Sequence, residues 1–291
     1  MREQGKKLLA KIAVLLCSFL MLFGVAVSAE EEQKGTVLPG GDTKYNLLLI
    51  GTDRRDESWN GNSDVMILTT IDSEKERITM TSFMRDLYAE IPEHGVHKLN
   101  YAFAAGGADL LMDTLEDNYD LEIDNYMVVD FDEMASIVDS IGGVELTVTD
   151  AEATVMNQYL ESMGASESKL YAGGTYLMNG YQAVAYARNR YVGNSDYERT
   201  QRQRNVLHAI FDKMKNTDSG EMAALAAEIL PEMEYDINLL DMAVLTAALP
   251  DLVGYELVEN RIPYDDLHHS QDEMLVPDFP ATIERLHEAL D

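Results

Sequence analysis

Between Arg188 and Arg204 the chain places Arg188, Arg190, Arg199, Arg202 and Arg204, in a protein with 52 acidic against 22 basic residues. A guanidinium is a planar fork that matches phosphate oxygens, and several together neutralise a group as charged as a pyrophosphate. Gathered in so acidic a chain, these arginines point to a local anion site. Arg85 follows an apolar run and offers the same chemistry, and Lys98 lies close behind it in His97-Lys98-Leu99-Asn100. Two aspartates suggest a second chemistry. Asp53, in Gly51-Thr52-Asp53-Arg54-Arg55-Asp56, and Asp64, in Asn62-Ser63-Asp64, flank one loop. Neighbouring strands could bring both carboxylates to a hard cation whose shell phosphate oxygens complete. Plainer readings stand beside these: aspartates are ordinary turn residues, a strand-end arginine is often a surface ion pair, and a basic helix face can simply be solvated.

Positioning these residues requires a scaffold. Short apolar runs over 45–50, 64–71 and 77–83 read as strands, the last two joined by a turn at Asp72-Ser73-Glu74-Lys75. The spacing of Leu110, Leu111 and Leu115 predicts a helix over 108–119, and Gly106-Gly107 reads as a turn. A strand is predicted over 126–131, a helix over 131–141 stopped by Gly142-Gly143, and a strand over 144–148. Further helices are expected over 182–188, 198–215, 221–230, 239–249 and 280–290. Within 198–215, Val206, Leu207, Ile210 and Met214 fall on one face, and Arg199 and Gln203 share another. The alternation predicts an α/β fold, a single α-β-α layered domain around a mixed central sheet. Loops at strand ends are where such folds hold ligands.

Composition narrows the classes. With 46% hydrophobic residues the chain can bury a sizeable core, and its net charge of -30 excludes nucleic acid bound through a broad basic surface. There is no HExxH, Cys/His cluster, GxSxG elbow or P-loop. Arg2, Lys6, Lys7 and Lys11 precede an uncharged stretch over 12–27 that contains Cys17, the only cysteine. That pattern predicts export, with either a membrane anchor or cleavage after Val27-Ser28-Ala29, and an extracytoplasmic body without disulfides. The expected division is 1–29 as signal peptide or anchor, 30–43 as linker, 44–270 as the domain carrying the chemistry, and 271–291 as a helical tail.

In this order the segments resemble the LytR-CpsA-Psr family of cell-wall glycopolymer phosphotransferases. The resemblance runs from about Tyr45 to Asp265 and rests on NLLLIGTDRRD, GNSDVMIL, SFMRDLYAEIP with HKLNYAFAAGG, VDFDEMASIVDSIGGVELTV, and LMNGYQAVAYARNRYVGNSDYERTQRQRNVL. It implies a membrane-associated enzyme that holds a polyprenyl-pyrophosphate-linked glycan, its lipid in an apolar tunnel, and moves the glycan phosphate onto peptidoglycan. Carried onto this sequence, it implies that Asp53 and Asp64 bind Mg2+ and that Arg85, Arg188, Arg190, Arg199 and Gln203 grip the pyrophosphate. Arg55, Lys98 and Arg202 match further phosphate positions, and Asp86, Asn100 and Asp196 match other polar ones. Arg85, Asp86, Arg188 and Arg190 are the catalytic candidates, with Asp86 or a metal-site carboxylate taking the acceptor proton. Asn62 departs from the pattern, standing where many members have an arginine, which leaves Arg54 or Arg55 to compensate. The alternatives are a polyprenyl-pyrophosphate hydrolase using the same pocket and a non-catalytic surface or regulatory binding protein.

Overall fold

The structure, a computed structural model, describes residues 36–52, 60–193, 195–230 and 233–291. The expected export segment, Asp53 and Arg55 lie outside the described residues. In chain order the first elements are β1 (Lys44–Thr52), β2 (Ser63–Asp72), β3 (Arg77–Phe83), β4 (Tyr88–Ile91), β5 (Gly95–Lys98), α1 (Asn100–Tyr119), β6 (Asn125–Val129) and α2 (Phe131–Ser140). Then come β7 (Val144–Val148), α3 (Asp150–Ser162), β8 (Gly174–Met178), α4 (Gly180–Arg188), α5 (Ser195–Met214) and α6 (Ser219–Ile229). The rest is β9 (Glu234–Tyr235), α7 (Leu239–Leu252), β10 (Glu256–Ile262), β11 (His268–Gln271), β12 (Met274–Pro277) and α8 (Phe279–Leu290).

The predicted mixed sheet is present, with six strands in the order β10-β3-β2-β1-β6-β9. β1 pairs antiparallel with β2 and parallel with β6, while β3 pairs antiparallel with β2 and parallel with β10. Successive side chains of a strand point to opposite faces, and the central strands are apolar on both. Leu48, Ile50, Met66 and Leu68 pack under Leu111 and Leu115 of α1 and Leu286 of α8. Tyr45, Ile67, Ile71 and Met80 face Ala248 and Leu252 of α7. Helices thus cover both faces of the sheet.

A third cluster joins Val138 of α2, Val144 and Val148 of β7, Met156 and Leu160 of α3 and Ala183 and Tyr186 of α4. Its helices start at reciprocal capping boxes, Asp130 with Glu133, Thr149 with Glu152 and Asn179 with Gln182, which satisfy amide groups that a first helical turn leaves unpaired. α2 and α4 cross so closely that a Cβ on Gly180 would stand 2.1 Å from the Ala135 carbonyl oxygen.

Some expectations change. Gly106 and Gly107 leave helical geometry inside α1, so the helix predicted from 108 has a preceding segment that begins at Asn100. α5 does not present its apolar residues on one face: Val206 and Ile210 join the third cluster, while Leu207 packs with α7. A helix wedged between two cores buries two sides. Of the segment expected as a linker, residues 36–43 lie on the domain, with Leu38 buried beside Leu252 and the Tyr255 hydroxyl donating to Thr36 Oγ1 at 2.7 Å. The expected tail is helical over α8, and its Leu286 is fully buried.

Candidate functional site

Strand directions determine where the chemistry gathers. β1, β3 and β6 run the same way, so their carboxyl ends and the start of β2 share one edge of the sheet. Ile67 of β2 is paired with Ser82 of β3, and three residues further in the same antiparallel register Asp64 stands across from Arg85. Arg85 Nη1 donates to Asp64 Oδ1 at 3.0 Å, and Nη2 lies 3.5 Å from Asp196 Oδ2. The carboxyl end of β6 leads to Phe131, whose ring lies beneath the Arg188 guanidinium at 4.3 Å.

Helix α5 supplies the opposite wall. Arg199 and Gln203, one turn apart, both reach Asp64: Arg199 Nη1 is 3.7 Å from its Oδ1, and Gln203 Nε2 donates to its backbone carbonyl at 3.4 Å. Arg199 also pairs with Asp196 at 2.8 Å. The cleft between these walls has a volume of about 280 Å3 and is lined by Asn62, Asp64, Arg85, Arg188, Arg190, Arg199 and Gln203, with Val65, Phe131, Tyr159, Ala187 and Tyr191 between them. Four arginines line one space in which Asp64 is the single carboxylate among the described residues, so the described lining is cationic in an acidic protein.

Burial disfavours charge on both central arginines, with opposite outcomes. For Arg85 the carboxylates of Asp64, Asp196 and Asp86 outweigh burial and raise its pKa. For Arg199 burial prevails, aided by the neighbouring Arg85 and Arg190, and lowers it. A guanidinium stays protonated either way, but Arg199 is short of compensating negative charge. Its Nε is buried without a hydrogen-bond partner among the described residues. An anionic ligand would supply what that site lacks.

The remaining candidates are placed elsewhere. Asp86 does not line the cleft; it holds Lys98 Nζ at 2.9 Å and lies 3.7 Å from Arg85 Nε, so Asp86 and Lys98 brace Arg85 from behind. Arg202, expected at the phosphate, is turned the other way. Its Nε donates to Glu152 at 2.7 Å, and Nη1 and Nη2 donate to the carbonyls of Asn189 and Val192 at 2.8 and 2.9 Å. That grip brackets the segment presenting Arg190 and Tyr191. Arg204 is equally engaged, with Glu259 at 3.0 Å and Ser82 Oγ at 3.1 Å. Glu152, Tyr159 and Tyr191 went unnoticed in the sequence; the Thr149-x-x-Glu152 capping pattern is the signal that locates α3 and hence the first two.

Glu152 and Glu259 carry a pH consequence. Burial raises both pKa values, yet the Thr149 amide and Arg202 hold Glu152, and Gln201 and Arg204 hold Glu259, below the ordinary glutamate range. A depressed folded-state pKa adds stability above the unfolded value and loses it as pH falls through the folded one. The melting temperature should therefore be level down to about pH 5 and fall below roughly pH 4.3, the unfolded glutamate value. Thermal melts by circular dichroism check this, and Glu259→Gln should show a shallower acid decline than wild type.

A six-stranded mixed sheet covered by helices, with an arginine-walled cleft at the carboxyl ends of its parallel strands, defines an anion-binding α/β protein. Residues 24–280 match the LytR_cpsA_psr family, and the chain belongs to that family. It is 30% identical over 86% of its length to the biofilm regulatory protein A of Streptococcus mutans, spanning 66% of that protein. It is 29% identical to the polyisoprenyl-teichoic acid–peptidoglycan teichoic acid transferase TagU of Enterococcus faecalis, with 82% of each chain covered. Among solved structures, TagT bound to LIIa-WTA superposes with a TM-score of 0.66 at 26% identity, over 90% of this chain and 94% of that one.

Proposed function

We propose that this protein transfers an anionic glycopolymer of the teichoic-acid or capsule type from a polyprenyl-pyrophosphate carrier to peptidoglycan, at the outer side of the membrane. One observation carries the reading: Arg85, Arg188, Arg190, Arg199 and Gln203 converge on a cleft of phosphate dimensions around Asp64. Family membership and the transferase activity named for the Enterococcus relative support it.

In the transfer, an acceptor hydroxyl oxygen attacks the sugar-bearing phosphorus, a new P–O bond forms, and the bridging P–O bond breaks to release polyprenyl monophosphate. Such chemistry needs mainly alignment and neutralisation of phosphate oxygens. Arg85 and Arg199 neutralise the charge at the centre of the cleft, Arg188 and Arg190 do so on the α4 side, and Gln203 adds a neutral donor. Asp64, the lining carboxylate among the described residues, would take the hydroxyl proton or hold a cation. A Mg2+ ion suits this donor set, because it commonly binds one or two carboxylates and completes its shell with water and substrate phosphates. Among the described residues no group of three carboxylate, imidazole or thiol ligands forms a cage of its own. Asp64, with Asp53 as the expected second ligand, would hold the ion, which supplies positive charge to the phosphate oxygens.

The test is turnover of a polyprenyl-pyrophosphate glycan by the full chain with Mg2+, with peptidoglycan present or absent. Release of polyprenyl monophosphate that requires peptidoglycan and stops on chelation is the expected result. Release without acceptor would instead assign a hydrolase, and binding without release a binding protein.

A further inference from the structure

Tyr191 lines the cleft beside the arginines, yet 65% of its surface is exposed. A single exposed aromatic on a mobile segment would mean little. This one is held. Its amide donates to Asn189 Oδ1 at 3.2 Å, its hydroxyl accepts from Arg190 Nη2 at 3.2 Å, and Arg202 grips the carbonyls of Asn189 and Val192 on either side of it. Tyr159 of α3, also lining the cleft, lies nearly parallel to it, with ring centroids 6.5 Å apart and an interplanar angle of 22°. Two paired rings thus line the cleft together with the arginines.

Resting on the pyrophosphate reading above, we infer that Tyr191 and Tyr159 form a stacking subsite for the pyranose attached directly to the donor's pyrophosphate. The chemistry of the donor requires this adjacency. The sugar is joined to its phosphate through one oxygen, so when the arginines hold the pyrophosphate, the first ring falls within a few ångströms of them. A pyranose offers one apolar C–H face and a rim of hydroxyls. A flat ring covers such a face, while the arginines and the tyrosine hydroxyls suit the rim. Holding an arginine does not by itself require an exposed ring, since Arg188 is held between the rings of Phe131 and Tyr159, neither of them as exposed as Tyr191. Tyr191 has the Arg190 guanidinium 5.2 Å from its ring centroid and Tyr159 beside it, yet 65% of its surface is still uncovered, and that surface is what the sugar would cover.

The test compares two probes on the full-length protein: a short polyprenyl pyrophosphate, and the same lipid bearing one N-acetylhexosamine on its terminal phosphate. The quantity read is the ratio of their affinities, which cancels any effect of the substitution transmitted through Arg190. The expected result is a ratio that favours the glycosylated probe, falls about tenfold in Tyr191→Ala, as a stacking contact of this size implies, and is retained in Tyr191→Phe. An unchanged ratio in Tyr191→Ala, or an equal loss in Tyr191→Phe, would overturn the stacking subsite while leaving the pyrophosphate site intact. If the wild-type protein binds neither probe, the pyrophosphate reading fails, and the subsite with it.

Discussion

Arg85→Ala should lower turnover of the lipid-linked glycan by about 10²–10³-fold, the usual cost of removing one preorganised donor from a developing oxyanion. Arg85 is suited to that role because it is braced on three sides, by Asp64, Asp196 and Asp86, with Lys98 fixing Asp86 in turn. Its guanidinium therefore pays little to become ordered when the phosphate arrives. Removing it also leaves Asp64 and Asp196 sharing Arg199 as their remaining described ion-pair partner, so the cleft loses positive charge and gains uncompensated negative charge. Arg85→Lys should recover only part of the loss, because an ammonium is a point charge without the planar fork. Steady-state kinetics decide the matter: kcat should fall more than KM rises. A variant of near wild-type kcat/KM would remove Arg85 from the mechanism.

The second large effect concerns stability and positioning together. Arg202 and Glu152 are an almost buried pair, and removing one member of such a pair costs about 3–5 kcal/mol because the other charge is left uncompensated. Arg202→Met should lower the melting temperature by roughly 10 °C for a domain of this size. It should also lower turnover, because the carbonyls of Asn189 and Val192 lose the donors that hold Arg190 in place. The double variant Arg202→Met with Glu152→Leu separates the two effects. Replacing both charges with apolar groups of similar volume is often neutral for stability, but Glu152→Leu also removes the acceptor of the Thr149 amide at the start of α3, so melting should recover in part. Turnover should not, since nothing in the double variant grips the two carbonyls. Full recovery of turnover would show that the arginine serves the fold alone.

Particular residues show how much was legible beforehand. The strands at 45–50, 64–71 and 77–83 were readable because short apolar runs bounded by turn residues have few other uses in a soluble domain. Arg199 and Gln203 were readable as neighbours because four residues make one helical turn. Arg202 was misplaced for the complementary reason: three residues from Arg199 it lies nearly as close in sequence, yet its direction is set by Glu152, fifty positions away in the chain. Arg204, which the resemblance gave no place at the phosphate, likewise takes its direction from a distant partner, Glu259 of β10.

What the residues determine by themselves is the chemistry available: guanidinium forks for an anion, carboxylates for a cation or proton, and apolar periodicities that must become strands and helices. The tertiary structure decided which groups use that chemistry on a ligand and which use it on the protein. Arg85 and Asp64 meet because β2 and β3 pair in one register, a long-range choice driven by burying both faces of the sheet. Arg202 and Arg204 are withdrawn from the cleft because α5 is wedged between two cores, and a buried guanidinium must find its acceptors where that packing points it.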